Sequence, residues 1–202
     1  MTLLGLWNNL NLPNKITLLR LGLAVIYLLI LLVITEVGTE GRGLLWIAFG
    51  IFLTAVVTDI LDGYFARRLG IETSLGRVLD PLVDKIMICG SLVFFLGFPH
   101  IPGYISHWMV VFVIVRELVV HDARMMIEQR RGVFGSTFWG KQKMFFQSFA
   151  VGAVLLYEAQ LSHYTGLGMI VAILLWVMVL STLISAIPYF ARIGSFLAQE
   201  KL

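Results

Sequence analysis

Four aspartates carry the chemistry this chain can offer. They stand in Asp59-Ile-Leu-Asp62-Gly63-Tyr-Phe-Ala66-Arg67 and, eight residues on, in Gly76-Arg-Val-Leu-Asp80-Pro-Leu-Val-Asp84. Asp59 and Asp62 are three apart, and Asp80 and Asp84 four apart, so on helices each pair shares one face. A short connection over Arg68–Leu75 lets two such helices run antiparallel and brings the four carboxylates together. Four like charges repel, and in apolar surroundings each also loses its hydration. A bound cation resolves both problems. Hard divalent ions favour oxygen ligands, and Mg²⁺ commonly takes carboxylates together with substrate phosphates. Two ions about 3.5–4 Å apart are the usual clamp on a displacement at phosphorus. Gly63 and Gly76 let a bulky ligand approach the backbone, and Arg67 is placed to meet a phosphate. The bland alternative pairs these acids with Arg67, Arg68, Arg77 and Lys85 at a membrane surface. A proton or cation relay is a second alternative, since carboxylates in membrane helices also serve that way.

The rest of the chain supplies the elements that must position those residues. Of 202 residues, 59% are hydrophobic and 13% charged, with a mean hydropathy of +0.91. A soluble domain carries about 25% charged residues. The composition excludes a disordered chain and leaves too little polar surface for a soluble globule. The expected class is an all-α integral membrane protein forming a single domain over residues 1–202. Six apolar stretches approach the roughly 20 residues that a spanning helix needs. They are Ile16–Thr35, Leu44–Ala66, Leu79–Phe98, Tyr104–Ile127, Lys141–Leu161 and Leu167–Tyr189. Before them, Leu3, Leu4, Leu6, Trp7 and Leu10 suggest a short N-terminal interfacial helix, ended by Pro13, with Asn14 capping the next helix. The single cysteine, Cys89, can make no internal disulfide.

Basic residues set the orientation. With six spans both termini share a side, and that side gathers Lys15, Arg20, Arg67, Arg68, Arg77, Arg124, Arg130, Arg131, Lys141, Lys143, Arg192 and Lys201. The opposite connections hold Arg42 with Glu36, Glu40, Glu158, His100, His107 and His163, the histidines reading as loop residues. Both termini and the aspartates are therefore expected in the cytoplasm, with a bacterial inner membrane as the default. A transporter would spread its carboxylates along a path near the midplane. Here they crowd at one end beside arginines, which favours an anionic cytoplasmic substrate.

The pattern D-x-x-D-G-x-x-A-R, eight residues, then G-x-x-x-D-x-x-x-D resembles the signature of the CDP-alcohol phosphatidyltransferases. Asp59, Asp62, Gly63, Ala66, Arg67, Gly76, Asp80 and Asp84 fill its fixed positions. Asn11-Leu12-Pro13-Asn14-Lys15-Ile16-Thr17-Leu18-Leu19-Arg20 is similar to that family's N-terminus. Arg116-Glu117, Arg124, Gly140-Lys141-Gln142-Lys143, Gln147, Ser185 and Tyr189-Phe190 resemble its phosphatidylglycerophosphate synthase branch. The chain departs from that branch at His121-Asp122, where small residues are usual, and at Met144, where threonine is common.

The resemblance implies six helices, a homodimer, and transfer of a phosphatidyl group from CDP-diacylglycerol to an alcohol with release of CMP. On this reading Asp59, Asp62, Asp80 and Asp84 bind Mg²⁺ or Mn²⁺, as two ions, and Asp84 also takes the acceptor's proton. Gly63, Ala66, Arg67 and Gly76 hold the CDP moiety. Glycerol 3-phosphate is the expected acceptor, its phosphate met by Arg116, Arg124, Lys141, Lys143 and Arg192, with Glu117 as a partner for Arg116. The other partners are membrane lipids, and no nucleic acid is expected. Competing readings are a CMP-forming cardiolipin synthase, a transferase with another alcohol acceptor such as serine or an inositol phosphate, and a cation or proton transporter.

Overall fold

The computed structural model describes residues 12–37, 42–69, 74–101, 103–131, 138–162 and 164–200. Every regular element among them is helical: α1 (Leu12–Val37), α2 (Arg42–Leu69), α3 (Ser74–Phe95), α4 (His107–Arg131), α5 (Phe138–Leu156) and α6 (Thr165–Glu200), with a π turn at Tyr157–Leu161 closing α5. Apolar runs of this length become helices because a helix satisfies its backbone hydrogen bonds within itself, as a lipid environment demands. Each of the six expected stretches corresponds to one helix, although Leu79–Phe98 runs three residues past the end of α3, Tyr104–Ile127 begins three residues before α4, and Lys141–Leu161 continues from α5 through the π turn. Three stretches are long and apolar enough to cross a membrane: Asn14–Glu36, Arg42–Leu61 and Gly166–Ala191. The other three helices carry charges within their length, among them Asp80, Asp84 and Lys85 on α3, Arg116 and Glu117 on α4, and Lys143 on α5. Large apolar side chains such as Ile26, Leu29, Ile47, Val111, Phe145, Ile173 and Ile187 are exposed on the outer faces. So much exposed apolar surface calls for a membrane around it.

Several boundaries differ from expectation. The interfacial helix lies outside the described residues. Pro13, expected in the connection before the first span, sits in the first turn of α1, where its missing N–H costs nothing. Asn14 is consequently inside that helix and is not its cap. The connection between the aspartate pairs is shorter than Arg68–Leu75, because α2 runs on to Leu69 and α3 begins at Ser74.

Two groups of three helices make up the bundle. In the first, α1 packs on both α2 and α3; in the second, α6 packs on both α4 and α5. Contacts of α2 with α5, and of α3 with α4 and α5, join them. The buried positions follow steps of three and four residues, the spacing of a packed helical seam. On α1 they are Thr17, Arg20, Ala24, Tyr27, Leu31 and Ile34; on α2 Leu45, Ala48, Phe52 and Ala55; on α6 Val171, Leu175, Met178, Thr182, Ser185 and Tyr189. Continuing the α2 series by the same steps reaches Asp59 and then Asp62.

The α1–α3 pair is parallel and keeps a steady register. Thr17 meets Asp80, Arg20 meets Asp84 and Tyr27 meets Ser91, at offsets of 63, 64 and 64 residues. The Tyr27 hydroxyl and Ser91 Oγ are 2.6 Å apart, and Ser91 Oγ donates onward to the Met87 carbonyl. Glycines keep the helices close: a Cβ on Gly90 would come within 2.6 Å of Leu28, and one on Gly97 within 3.3 Å of Thr35.

At the end of the bundle away from the aspartates, the chain between α3 and α4 is tied to the π turn. His100 gives its backbone N–H to Glu158 Oε1 at 3.0 Å, and its Nδ1 lies 2.7 Å from Oε2. Glu158 has a fully buried side chain, and His100 is its partner; the expectation of a plain loop histidine misses this contact. The Tyr104 ring packs edge-on to Tyr157 and also lies directly over Gly168 of α6. Gly168→Ala should therefore displace Tyr104 and loosen this end. The melting temperature of the detergent-solubilised protein should fall by about 5 °C, the effect of about 2 kcal/mol in a chain of this size. Gly166→Ala, whose methyl would meet nothing within 4 Å, should leave it unchanged or slightly raised.

Candidate active site

Two polar clusters lie at the end of the bundle where α1, α3 and α5 begin and α2, α4 and α6 finish. The first belongs to α1, α2 and α3. Asp59 is brought in by α2, Asp80 and Asp84 by the first turns of α3, and Arg20 of α1 stands among them. Arg20 Nη1 is 2.7 Å from Asp59 Oδ1 and 3.6 Å from Asp80 Oδ1, and Nη2 is 3.2 Å from Asp84 Oδ1. Thr17, one turn earlier on α1, donates its hydroxyl to Asp80 Oδ1 at 3.1 Å. The arginine is 2% exposed, whereas the Asp59, Asp80 and Asp84 side chains are 33%, 43% and 25% exposed. The carboxylates thus line an open face, and the arginine closes it from beneath. Gly76, one turn before Asp80, is buried. Pro81 between the two aspartates has no N–H, so the turn that carries them lacks one helical hydrogen bond.

The sequence brings Asp59, Asp80 and Asp84 together as expected, but through a partner it did not point to. The alternative reading paired the aspartates with Arg67, Arg68, Arg77 and Lys85; the side chains of the three arginines lie outside the described residues. Among the described side chains, Arg20 bridges Asp59, Asp80 and Asp84. Its position in the i, i+3, i+4 seam of α1 was the available signal, since a charge at a seam position must meet another charge. Asp62, Gly63, Ala66 and Arg67 lie on the last turns of α2, and their side chains fall outside the described residues, as does that of Arg77.

Do these residues suit a metal ion? Three carboxylates and one guanidinium leave the described cluster with a net charge of −2. Its donors are hard oxygens, held by two helices on a partly open face. That donor set fits Mg²⁺ or Mn²⁺. Among the described residues no three acidic, histidine or cysteine side chains are already arranged as a ligand group; the Arg20 guanidinium stands where the carboxylates converge.

The second cluster belongs to α4, α5 and α6. Glu117 is its centre. It accepts from Lys143 Nζ at 2.6 and 2.7 Å, from Arg116 Nη1 at 3.1 Å and from Gln147 Nε2 at 3.1 Å. Arg116 Nη2 donates to Ser185 Oγ at 2.7 Å, and Gln147 also reaches Thr182 at 3.3 Å. All six residues are buried. Two cations against one carboxylate give a net charge of +1, and Arg116 Nε is buried without an acceptor. The arrangement is therefore short of one negative charge. Of the expected acceptor cations, Arg116 and Lys143 meet here. Arg124, Lys141 and Arg192 are helical, on α4, α5 and α6, with side chains outside the described residues. Sequence reading paired Glu117 with Arg116, but the tighter partner is Lys143, which reaches both carboxylate oxygens.

The clusters are neighbours. Lys143 is near enough to Asp84 to act on it electrostatically, and Lys85 on α3 acts in the same way on Glu117, Lys143 and Asp122. Beside Lys143 a cavity of about 220 Å³ lies between α5 and α6, lined by Gln142, Lys143, Phe146, Val177, Leu180, Ser181 and Ile184. Its walls are mostly apolar, with Gln142, Lys143 and Ser181 as the polar members.

Comparison with known proteins agrees with this geometry. Residues 10–185 match the family model described as CDP-alcohol phosphatidyltransferase. The chain is 35% identical over 190 residues to the CDP-diacylglycerol–glycerol-3-phosphate 3-phosphatidyltransferase of Bacillus subtilis (strain 168), covering 90% of this chain and 94% of that protein. It is 34% identical over 182 residues to a Mycobacterium tuberculosis (strain CDC 1551 / Oshkosh) protein named "Probable phosphatidylglycerophosphate synthase", covering 90% and 81%. A Rickettsia bellii (strain RML369-C) CDP-diacylglycerol–glycerol-3-phosphate 3-phosphatidyltransferase is 26% identical over 180 residues, covering 89% and 93%. With Asp59, Asp80 and Asp84 of the signature gathered by the fold and likeness extending along nearly all of its length, the chain belongs to the CDP-alcohol phosphatidyltransferase family.

Proposed function

We propose that this chain transfers the phosphatidyl group of CDP-diacylglycerol to glycerol 3-phosphate, giving phosphatidylglycerophosphate and CMP. The observation that carries the reading is the adjacency, at one end of the bundle, of a partly open carboxylate cluster and a buried cationic one, opposite in net charge among the described side chains. One is suited to cations that meet a diphosphate, and the other lacks one negative charge. An acceptor that is itself a phosphate ester satisfies the second, and the names of the Bacillus and Rickettsia relatives specify that acceptor. Phosphatidylglycerol, the acceptor of a CMP-forming cardiolipin synthase, is also an anion and is the runner-up.

Asp59, Asp62, Asp80 and Asp84 would hold the divalent ions, two of them on this reading. When bound, these ions neutralise the diphosphate and the charge that develops on departing CMP. Gly63, Ala66, Arg67 and Gly76 hold the CDP moiety. Arg116, Arg124, Lys141, Lys143 and Arg192 draw in the acceptor's phosphate, with Glu117 keeping Arg116 and Lys143 in place. The acceptor hydroxyl attacks the phosphorus bearing diacylglycerol, and the bond from that phosphorus to CMP breaks. Asp84 takes the hydroxyl proton. The apolar walls of the cavity between α5 and α6 suit a lipid chain whose polar end lies near Lys143.

All six helices cross the membrane on this reading. At 1.5 Å per residue a 22-residue helix such as α3 is about 33 Å long, and Asp80 and Asp84 on α3, Arg116 and Glu117 on α4, and Lys143 on α5 are paired with opposite charges within the bundle. The distribution of basic residues supports cytoplasmic termini and a cytoplasmic active site, in a bacterial inner membrane. A homodimer is part of the same proposal.

Purified protein given Mg²⁺ or Mn²⁺, CDP-diacylglycerol and glycerol 3-phosphate should release CMP in proportion to acceptor. Absence of acceptor-dependent CMP with every alcohol tried would refute the transferase reading. Release with phosphatidylglycerol and not with glycerol 3-phosphate would reassign the acceptor. Asp84→Asn should abolish turnover and retain most nucleotide binding by calorimetry; turnover at the wild-type rate would remove Asp84 as base. Arg116→Ala should raise the KM for glycerol 3-phosphate by about 10–100-fold, the worth of one or two charge-assisted hydrogen bonds, with a smaller change in the KM for CDP-diacylglycerol.

A further inference from the structure

Arg20 has no part in the chemistry above, yet it touches more of the site than any other described cation. Its guanidinium lies within 2.7–3.6 Å of Asp59, Asp80 and Asp84, and it meets the Oδ1 atom of each. An arginine stays charged at any ordinary pH. Without it, three partly exposed carboxylates would converge on one face with no described cation among them, and their repulsion would oppose the packing of α1, α2 and α3. Arg20 is thus the counter-ion that lets the carboxylates assemble.

The same contacts stand in the way of a metal. A divalent ion of the Mg²⁺ type needs its oxygen ligands at about 2.0–2.1 Å. The guanidinium already engages the Oδ1 atom of each of the three carboxylates, so an ion that takes those oxygens, and not Oδ2 alone, competes with it. A guanidinium that gives them up remains buried, for only 2% of the residue is exposed. It is also already short of an acceptor, because its Nε–H is buried and has none. It then requires an anion, and a diphosphate is the anion that comes to a carboxylate-bound metal.

Resting on the reading of these aspartates as a metal site, we propose that Arg20 is an exchangeable counter-cation. It holds Asp59, Asp80 and Asp84 together before substrate arrives, yields their oxygens to the divalent ion, and passes to the diphosphate of the nucleotide-linked donor. Arg20 is then a positioning residue whose two partners alternate. Metal and nucleotide binding become coupled through it, each strengthening the other by the same factor.

The test measures binding, not turnover. Full-length protein in detergent is stripped of metal and titrated with Mn²⁺, with free ion followed by electron paramagnetic resonance. The titration is run alone and with CDP, correcting for Mn²⁺ held by CDP in solution. In the wild type CDP should tighten Mn²⁺ binding by about tenfold, a typical coupling. Arg20→Met should bind Mn²⁺ alone about tenfold more tightly than the wild type, and CDP should then tighten it by a clearly smaller factor than in the wild type, leaving only the part carried by direct contact of ion and diphosphate. Should Arg20→Met fail to fold without metal, Arg20→Lys takes its place; with a single ammonium in place of the fork, it should lose at least about half of the coupling. Wild-type Mn²⁺ affinity with intact coupling in the variant would overturn the exchange and leave Arg20 a fixed structural partner. If no form binds Mn²⁺ with or without CDP, the metal reading itself fails and this proposal with it. Binding in the wild type that is insensitive to Arg20 sinks only the exchange.

Discussion

A charge placed between packed helices must meet an opposite charge or a full set of hydrogen bonds. Most of what is particular about this bundle follows from that constraint. The steps of three and four residues that bury Ala24, Tyr27 and Leu31 on α1 also bury Arg20. Those that bury Phe52 and Ala55 on α2 lead on to Asp59. The site is the polar continuation of the packing seams, and it is tolerable because the charges arrive from different helices and neutralise one another. In the second half the same logic draws Arg116, Glu117 and Lys143 into one network. Neither cluster is complete in itself: the described members sum to −2 in one and +1 in the other. Charges of this kind are expensive to bury and are retained where a ligand makes up the difference.

The division of labour between the two halves follows from connectivity. Packing of both α2 and α3 on α1 brings Asp59 to the same arginine as Asp80 and Asp84, and α1, parallel to α3, supplies that cation beneath them. The α4–α6 half presents cations to the same end, with Glu117 holding Arg116 and Lys143. Contacts of α3 with α4 and α5 place the two clusters side by side, so that an anionic acceptor and a diphosphate donor are met by neighbouring sets of charges. At the other end, Glu158 and His100 tie the π turn to the α3–α4 connection, far from the chemistry. A π turn inserts an extra residue into the helical path, and here it carries the carboxylate that makes this tie.

Much of this was legible in the sequence, because the signals were local. Spacing of three and four put the aspartates on shared faces, apolar run length gave six helices, and Arg116 beside Glu117 announced a pair. The partners that were missed all lie across a helix interface. Arg20 read as one more cytoplasmic arginine, since nothing within α1 says which helix it will face. Lys143 and Glu117 are separated by 26 residues, and their contact exists only once α5 packs against α4's neighbour α6. His100 and Glu158 are 58 residues apart, so each looked like an isolated loop residue. Helix ends shifted for a simpler reason: Pro13 is as acceptable in a first turn as in a connection, and sequence alone does not choose.

The parallel register of α1 and α3 has a consequence for what the protein can change. From Thr17–Asp80 through Tyr27–Ser91 to the Gly97–Thr35 contact, the two helices touch at nearly constant offset. Each added residue turns a helix by about 100° and advances it by about 1.5 Å. One residue inserted between Arg20 and Tyr27 would keep α1 helical, yet either the Tyr27 end or the Arg20 end would face away from its partner. The lipid-facing side of α1 is free to exchange one apolar residue for another, whereas the length between these contacts is fixed. The pair acts as a molded ruler, with the spacing of its teeth under tighter constraint than the residues on its back.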